Sequence, residues 1–184
     1  MNVPTTPALF LDRDGVINRE IGYLHRPEDV VWVAGIFDLC RTAVSLGYRL
    51  VVVTNQSGIA RGYYSQDDFD ALTAWMKSVF AAELAPLDAV YCCPYHPEHG
   101  VGPYRREHED RKPGPGMLLR AARDLSLDLG ASILVGDRCS DIAAAHAAGL
   151  HQAFLIAGTE DDPCPHPHRA VDSLAEVEQW LRSR

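Results

Sequence analysis

Leu9-Phe10-Leu11-Asp12-Arg13-Asp14-Gly15-Val16-Ile17-Asn18 is an apolar run of strand character that ends on two carboxylates and a glycine. Like charges a few ångströms apart do not both stay ionised without a partner, so a shared proton or a bound cation has to resolve them. Mg²⁺ is the reading taken here. A solvated turn, with Gly15 supplying a positive φ, is the alternative, and the rest of the chain has to decide between them.

Working outward, apolar runs of strand length alternate with helix-length segments, which predicts an α/β fold: a parallel sheet covered by helices on both faces. The first run is Ala8 to Leu11. Arg19 to Val33 follows without helical period and reads as a loop or small hairpin over the strand ends. A helix near Ile36 to Leu46 presents Ile36, Leu39, Cys40, Ala43 and Val44 at helical spacing and stops at Gly47. Arg49 to Val53 is the second strand and runs into Thr54-Asn55-Gln56-Ser57-Gly58. Ser65-Gln66-Asp67-Asp68 has the form of a capping box and opens a helix through about Ala82, with Phe69, Leu72, Met76, Val79 and Phe80 as its inner stripe. A third strand covers Leu87 to Tyr91. Residues 92–112 then form an irregular insertion rich in Pro, Gly, His and Arg, long enough to be functional. Past Pro113-Gly114-Pro115-Gly116 come a helix at Met117 to Leu125, a strand at Ser132 to Val135, a helix at Ile142 to Ala148, a last strand at His151 to Ile156 and a terminal helix at Ser173 to Leu181. A loop is expected at Gly158 to His168.

With 184 residues and 47% hydrophobic content the chain suits one domain over 1–184. A net charge of −8 argues against attraction to nucleic acid or an anionic membrane. No basic-then-apolar leader and no run of about 18 to 20 apolar residues is seen. A soluble, cytoplasmic monomer is expected. Five cysteines, an odd and scattered count, do not predict a disulfide framework.

Ligands of open parallel sheets bind outside the carboxyl ends of the strands, and polar residues recur there. They are Asp12 and Asp14, Thr54 with Asn55, the Arg111-Lys112 pair closing the insertion, and Asp137 with Asp141. Carboxylates, a hydroxyl and a cation pair make an oxygen cage for Mg²⁺ and a phosphate clamp, with one carboxylate left as a nucleophile.

The ordered set resembles the haloacid dehalogenase superfamily of phosphohydrolases. Asp12-x-Asp14-Gly15-x-Ile17-Asn18 matches its first motif, Thr54 its second, Lys112 its third and Gly136-Asp137-x-x-x-Asp141 its fourth. Phe10 to Asn18, the run Thr54 to Gly62, and Arg111-Lys112-Pro113-x-Pro115-Gly116-Met117 are similar to the phosphatases of D-glycero-D-manno-heptose 1,7-bisphosphate. Histidinol-phosphate phosphatases share much of that wording. The resemblance implies a Rossmann-like sheet without a large cap domain, consistent with the short stretch between Gly15 and the second strand. It also implies removal of the sugar 7-phosphate through an aspartyl-phosphate, for the heptose of bacterial surface polysaccharide. A catalytically silent phosphosugar-binding protein on the same fold is the reading from another class.

The resemblance further implies Asp12 as nucleophile and Asp14 as acid and base. Mg²⁺ is held by Asp12, the Asp14 main chain and Asp137, and Thr54 and Lys112 hold the phosphoryl oxygens. The substrate, a small phosphorylated sugar, is contacted by Glu20, Ile21, Gly22, Tyr23, Asn55, Gln56, Ser57 and Arg111, with Arg138 in reach. Relatives carry a zinc in the insertion through Cys-x-His and Cys-x-Cys. Here Tyr95 stands where the histidine would be, and His108 and Asp110 where the cysteines would be. A variant Zn²⁺ site from Cys93, His96 and His108, with Cys92, His99 or Asp110, is chemically open. A metal-free loop is the reading adopted, because the ligand spacing is broken.

Overall fold

A computed structural model describes residues 5–156 and 163–184. In chain order its elements are β1 (Ala8–Leu11), α1 (Ile36–Ser45), β2 (Arg49–Asn55), α2 (Ser57–Ala60), α3 (Gln66–Ala82), β3 (Ala89–Cys93), α4 (Gly116–Leu125), β4 (Ile133–Gly136), α5 (Cys139–Ala148), β5 (Gln152–Ile156), β6 (Arg169–Val171) and α6 (Leu174–Arg182). The strands form one all-parallel sheet in the order β3-β2-β1-β4-β5-β6.

Every residue of β1 is buried, because it is a central strand covered on both sides. Successive side chains point to opposite faces. Leu9 and Leu11, with Leu50 and Val52 of β2, pack on α1, α3 and α6. Ala8 and Phe10, with Val51 and Val53, pack on α4 and α5. The α3 start is a true capping box: the Ser65 side chain accepts from the Asp68 N–H, and the Asp68 carboxylate accepts from the Ser65 N–H.

Several details depart from the sequence reading, among them β3, which starts two residues later than expected, and the unexpected short helix α2. Val44, expected on the inner stripe of α1, is 36% exposed, since it lies at the edge of the buried arc. The strand at His151 to Ile156 is not the last: β6 adds three residues, too few to carry a period-2 signal. The helix expected from Ile142 begins at Cys139 and brings Asp141 into its first turn. Cys139 and Cys164 form a disulfide with a Cα–Cα distance of 5.2 Å, where no bridge was expected. Their separation of 25 residues carries no pattern, and only the path through β5 brings them together. Of the loop expected at Gly158 to His168, residues 158–162 lie outside the described residues. No helix among the described residues is long and apolar enough to cross a membrane.

The order of strands places the site. The sheet grows outward from β1 through β2 to β3, then resumes on the other side of β1 with β4. The crevice at the carboxyl ends of β1 and β4 is therefore a topological switch point, where the connections part and leave room for a ligand. Phe10 is fully buried in the layer beneath that crevice. Phe10→Ala is expected to lower the unfolding free energy by about 3–5 kcal/mol in urea denaturation. A loss under about 1 kcal/mol would contradict its place in the core.

Candidate active site

The chain closes a tight turn directly after β1. The N–H groups of Ile17 and Asn18 both donate to the Arg13 carbonyl, and the Gly15 N–H donates to the Asn18 carbonyl. Gly15 sits at φ 88°, and a Cβ there would fall 2.2 Å from Asp137 Oδ2. Glycine thus lets two strand ends meet. Gly136 does the same for α5: a Cβ there would lie 2.3 Å from the Asp141 Cβ.

Lys112 is the centre of the arrangement. Its Nζ donates to Asp12 Oδ1 at 2.8 Å and to the Val53 carbonyl at 2.8 Å, and it pairs with Asp141 Oδ1 at 2.7 Å. All three ionic side chains are buried. Burial alone would draw the ammonium toward neutrality, but Asp12 and Asp141 outweigh it and hold its pKa above the ordinary lysine value. Carboxylate oxygens of Asp12, Asp137 and Asp141 lie within 4.8 Å of one another, and among the described residues this is the one His, Cys, Asp or Glu group close enough to hold a metal. Burial pushes Asp12 up to about 6, against the pull of Lys112 and with Asp141 and Asp14 adding to the rise. Burial, then Asp12 and Asp141, push Asp137 up to about 8. Three carboxylates against one ammonium leave a negative surplus in a place shut off from water. Hard oxygen donors with that surplus fit a divalent cation such as Mg²⁺.

Asp14 stands in a different environment. Its Oδ2 accepts from Arg13 Nη2 at 2.8 Å and from Gln56 Nε2 at 3.0 Å, and its Oδ1 accepts from Asn18 Nδ2 at 2.9 Å. Arg13 is itself buried, donating to the Leu24 carbonyl and to Gln56 Oε1. Gln56 Nε2 also donates to Thr54 Oγ1 at 2.7 Å, and the Tyr64 hydroxyl donates to Gln56 Oε1. Because Thr54 Oγ1 accepts from Gln56, its own proton is left for an acceptor in the cavity.

Asp12, Asp14, Thr54, Gln56, Tyr64, Lys112 and Asp141 line a cavity of about 590 Å³ that also takes in Glu20, Gly22, Tyr23, Asn55, Ser57, Arg61, His96, Arg111 and Arg138, with Asp137, Arg13 and Asn18 outside the lining. Ile21 is not in the lining and is half exposed. The Asn55 amide is spent on the main chain of Lys112, donating to its carbonyl at 3.0 Å and accepting from its N–H at 3.1 Å, so it positions Lys112. Arg111 donates to the Tyr95 carbonyl, and Arg138 lies 3.8 Å from Glu20.

Cys93, His96 and His108 are not brought together as a ligand set. His96 Nδ1 accepts the N–H groups of Glu98 and His99, and His108 Nδ1 accepts the Asp110 N–H. The His108 ring stacks on Tyr95, with centroids 4.5 Å apart, and Arg106 covers the same tyrosine at 4.0 Å. Sequence reasoning gave no role to Arg13, Arg61 or Tyr64. Arg13 carried a signal, a cation between two acids, whereas Tyr64 reaches Gln56 only through the path of α2.

A HAD-hydrolase-like family model matches residues 110–177. The D-glycero-alpha-D-manno-heptose-1,7-bisphosphate 7-phosphatase of Burkholderia mallei is 60% identical over 149 residues, 81% of this chain and 79% of that one. The D-glycero-beta-D-manno-heptose-1,7-bisphosphate 7-phosphatase of Escherichia coli (strain K12) is 41% identical over 184 residues, 98% of this chain and 96% of that one. The crystal structure of D,D-heptose 1,7-bisphosphate phosphatase from B. bronchiseptica, complexed with magnesium and phosphate, superposes with a TM-score of 0.82 at 29% identity, over 96% of this chain and 98% of that one.

Removing the ammonium leaves Asp12 and Asp141 buried without their shared counter-charge. Lys112→Ala is expected to lower the unfolding free energy by about 3–5 kcal/mol in metal-free buffer at neutral pH. An unchanged urea midpoint would contradict the central place given to Lys112.

Proposed function

The chain belongs to the heptose 1,7-bisphosphate 7-phosphatase family of HAD-like hydrolases, and from that premise we propose that it is a Mg²⁺-dependent phosphatase removing the 7-phosphate of D-glycero-D-manno-heptose 1,7-bisphosphate in heptose biosynthesis. The observation that carries the reading is the buried Asp12-Lys112-Asp141 arrangement, with Asp137 beside it, next to a cavity that Arg61, Arg111 and Arg138 also line.

In this reading Asp12 attacks phosphorus in line. Its Oδ1 is held by Lys112, so Oδ2 forms the new P–O bond while the bond to the sugar oxygen breaks. The leaving oxygen takes a proton from Asp14, giving the sugar alcohol and an aspartyl-phosphate. Asp14 then removes a proton from water, whose oxygen displaces Asp12 and releases inorganic phosphate. Arg13, Gln56 and Asn18 hold the Asp14 carboxylate for both transfers. Lys112 and the Thr54 hydroxyl bind phosphoryl oxygens. Asp12, Asp137 and the Asp14 main chain would hold Mg²⁺, which when bound neutralises charge on the phosphoryl group. Burial raises the Asp12 and Asp137 carboxyls, and a cation between them favours their ionised forms. Arg111, with a planar fork that bonds two oxygens at once, suits the phosphate that stays on the sugar. Magnesium is the one metal this chemistry requires.

Phosphate release decides the matter. Heptose 1,7-bisphosphate is expected to exceed histidinol phosphate in kcat/KM by about 100-fold or more, because histidinol phosphate brings a cationic amine into a lining with three arginines. Chelation should abolish turnover and Mg²⁺ restore it, and Asp12→Asn should lower kcat by about 10³-fold or more. Faster turnover of histidinol phosphate would overturn the substrate, and a near-normal Asp12→Asn rate would overturn the nucleophile.

A further inference from the structure

The cations of the cavity divide into two groups. Lys112 is balanced by Asp12 and Asp141, and Arg138 faces Glu20. Arg13, just behind the lining, is balanced by Asp14. Arg61 and Arg111 have no carboxylate within salt-bridge distance among the described residues. Both line the same cavity; burial lowers the Arg111 pKa against the pull of Cys93 and Glu107, and the Arg61 charge adds weakly to the fall. His96 feels both guanidinium groups, its pKa lowered by burial and then by Arg111 and, more weakly, Arg61. Because His96 Nδ1 accepts two main-chain N–H groups, the neutral ring carries its proton on Nε2 and adds a donor.

Two guanidinium groups in one cavity lining, neither in a salt bridge among the described residues, are eased by an anion that joins them. The fold nevertheless fixes the main chain at Arg61, and the Tyr95 carbonyl accepts from Arg111. The Arg61 N–H closes α2 by donating to the Ser57 carbonyl, and Gly62 turns the chain away at φ 73°. The insertion docks on the same end of α2, its Val101 N–H donating to the Ala60 carbonyl at 2.8 Å. Of the five N–H donors of the Arg61 guanidinium, none is taken by a described protein group, and its Nε is shut off from water as well.

We propose that Arg61 is a specificity-determining residue that pairs with Arg111 as a double-guanidinium clamp for the phosphate the reaction leaves on the sugar, so that the enzyme selects sugars with a second phosphate over sugar monophosphates. This inference rests on the sugar-bisphosphate reading of the site. A phosphate dianion takes both planar forks side by side, with His96 Nε2–H as a further donor, and its charge relieves the repulsion between the two arginines.

The test measures kcat/KM of the full-length Mg²⁺-loaded enzyme on heptose 1,7-bisphosphate and on heptose 7-phosphate, for wild type, Arg61→Gln and Arg61→Lys. Calorimetric affinity for heptose 1-phosphate, the product that keeps the phosphate in question, is measured alongside. Arg61→Gln is expected to reduce the bisphosphate-to-monophosphate ratio by about 10- to 100-fold, mostly through KM, and to weaken heptose 1-phosphate binding to a similar degree. Arg61→Lys keeps the charge and loses the fork, so its ratio is expected to fall between those of wild type and Arg61→Gln. A wild-type ratio near one overturns the bisphosphate reading together with this inference. A high wild-type ratio that Arg61→Gln leaves unchanged, or an equal loss on both substrates, overturns the role of Arg61 alone.

Discussion

One buried ammonium between two buried carboxylates governs this molecule. Lys112 joins three parts of the chain distant in sequence: the end of β1 through Asp12, the end of β2 through the Val53 carbonyl, and the first turn of α5 through Asp141. Taking such charges out of water is costly, and they are held only because each finds partners in good geometry. The rest of the site follows. Gly15 and Gly136 allow the close approach, Asn55 clamps the Lys112 main chain, and Asp137 arrives as the third carboxylate that leaves the cluster in negative surplus. A structure with that surplus is prepared for a cation, and a phosphoryl group can approach a site that a cation has neutralised.

Asp12 and Asp14, two residues apart, are held in different surroundings. Asp12 points into the buried cluster and has one oxygen fixed by Lys112. Asp14 looks across to Gln56, Arg13 and Asn18, a network that continues through Gln56 to Thr54 and Tyr64. The insertion is ordered around Tyr95, whose ring lies between Arg106 and His108 and whose carbonyl fixes Arg111. Packing in that loop is thereby linked to the side of the cavity that Arg111 lines.

Much of this was legible in the sequence, for physical reasons. Buried parallel strands read as apolar runs, the α3 cap announced itself in Ser65 and Asp68, and the polar residues stood at strand ends where an open sheet gathers them. What escaped depended on the path of the chain. Three-residue β6 and four-residue α2 are too short for a period. The Cys139–Cys164 bridge and the reach of Tyr64 to Gln56 arise from backbone routes that no spacing encodes. Ile21 sits between Glu20 and Gly22 in sequence, yet it is half exposed while its neighbours line the cavity. Asn55 lines the cavity, but its amide serves the Lys112 main chain, which no spacing announces.

The proposed chemistry turns on Asp12 forming a bond to phosphorus. Turnover of heptose 1,7-bisphosphate quenched with borohydride, followed by peptide mass spectrometry, reads this directly, because borohydride reduces an aspartyl-phosphate to homoserine. Conversion at Asp12 is the predicted result. Conversion at Asp14 or Asp137, or none at any carboxylate while phosphate is released, would contradict it.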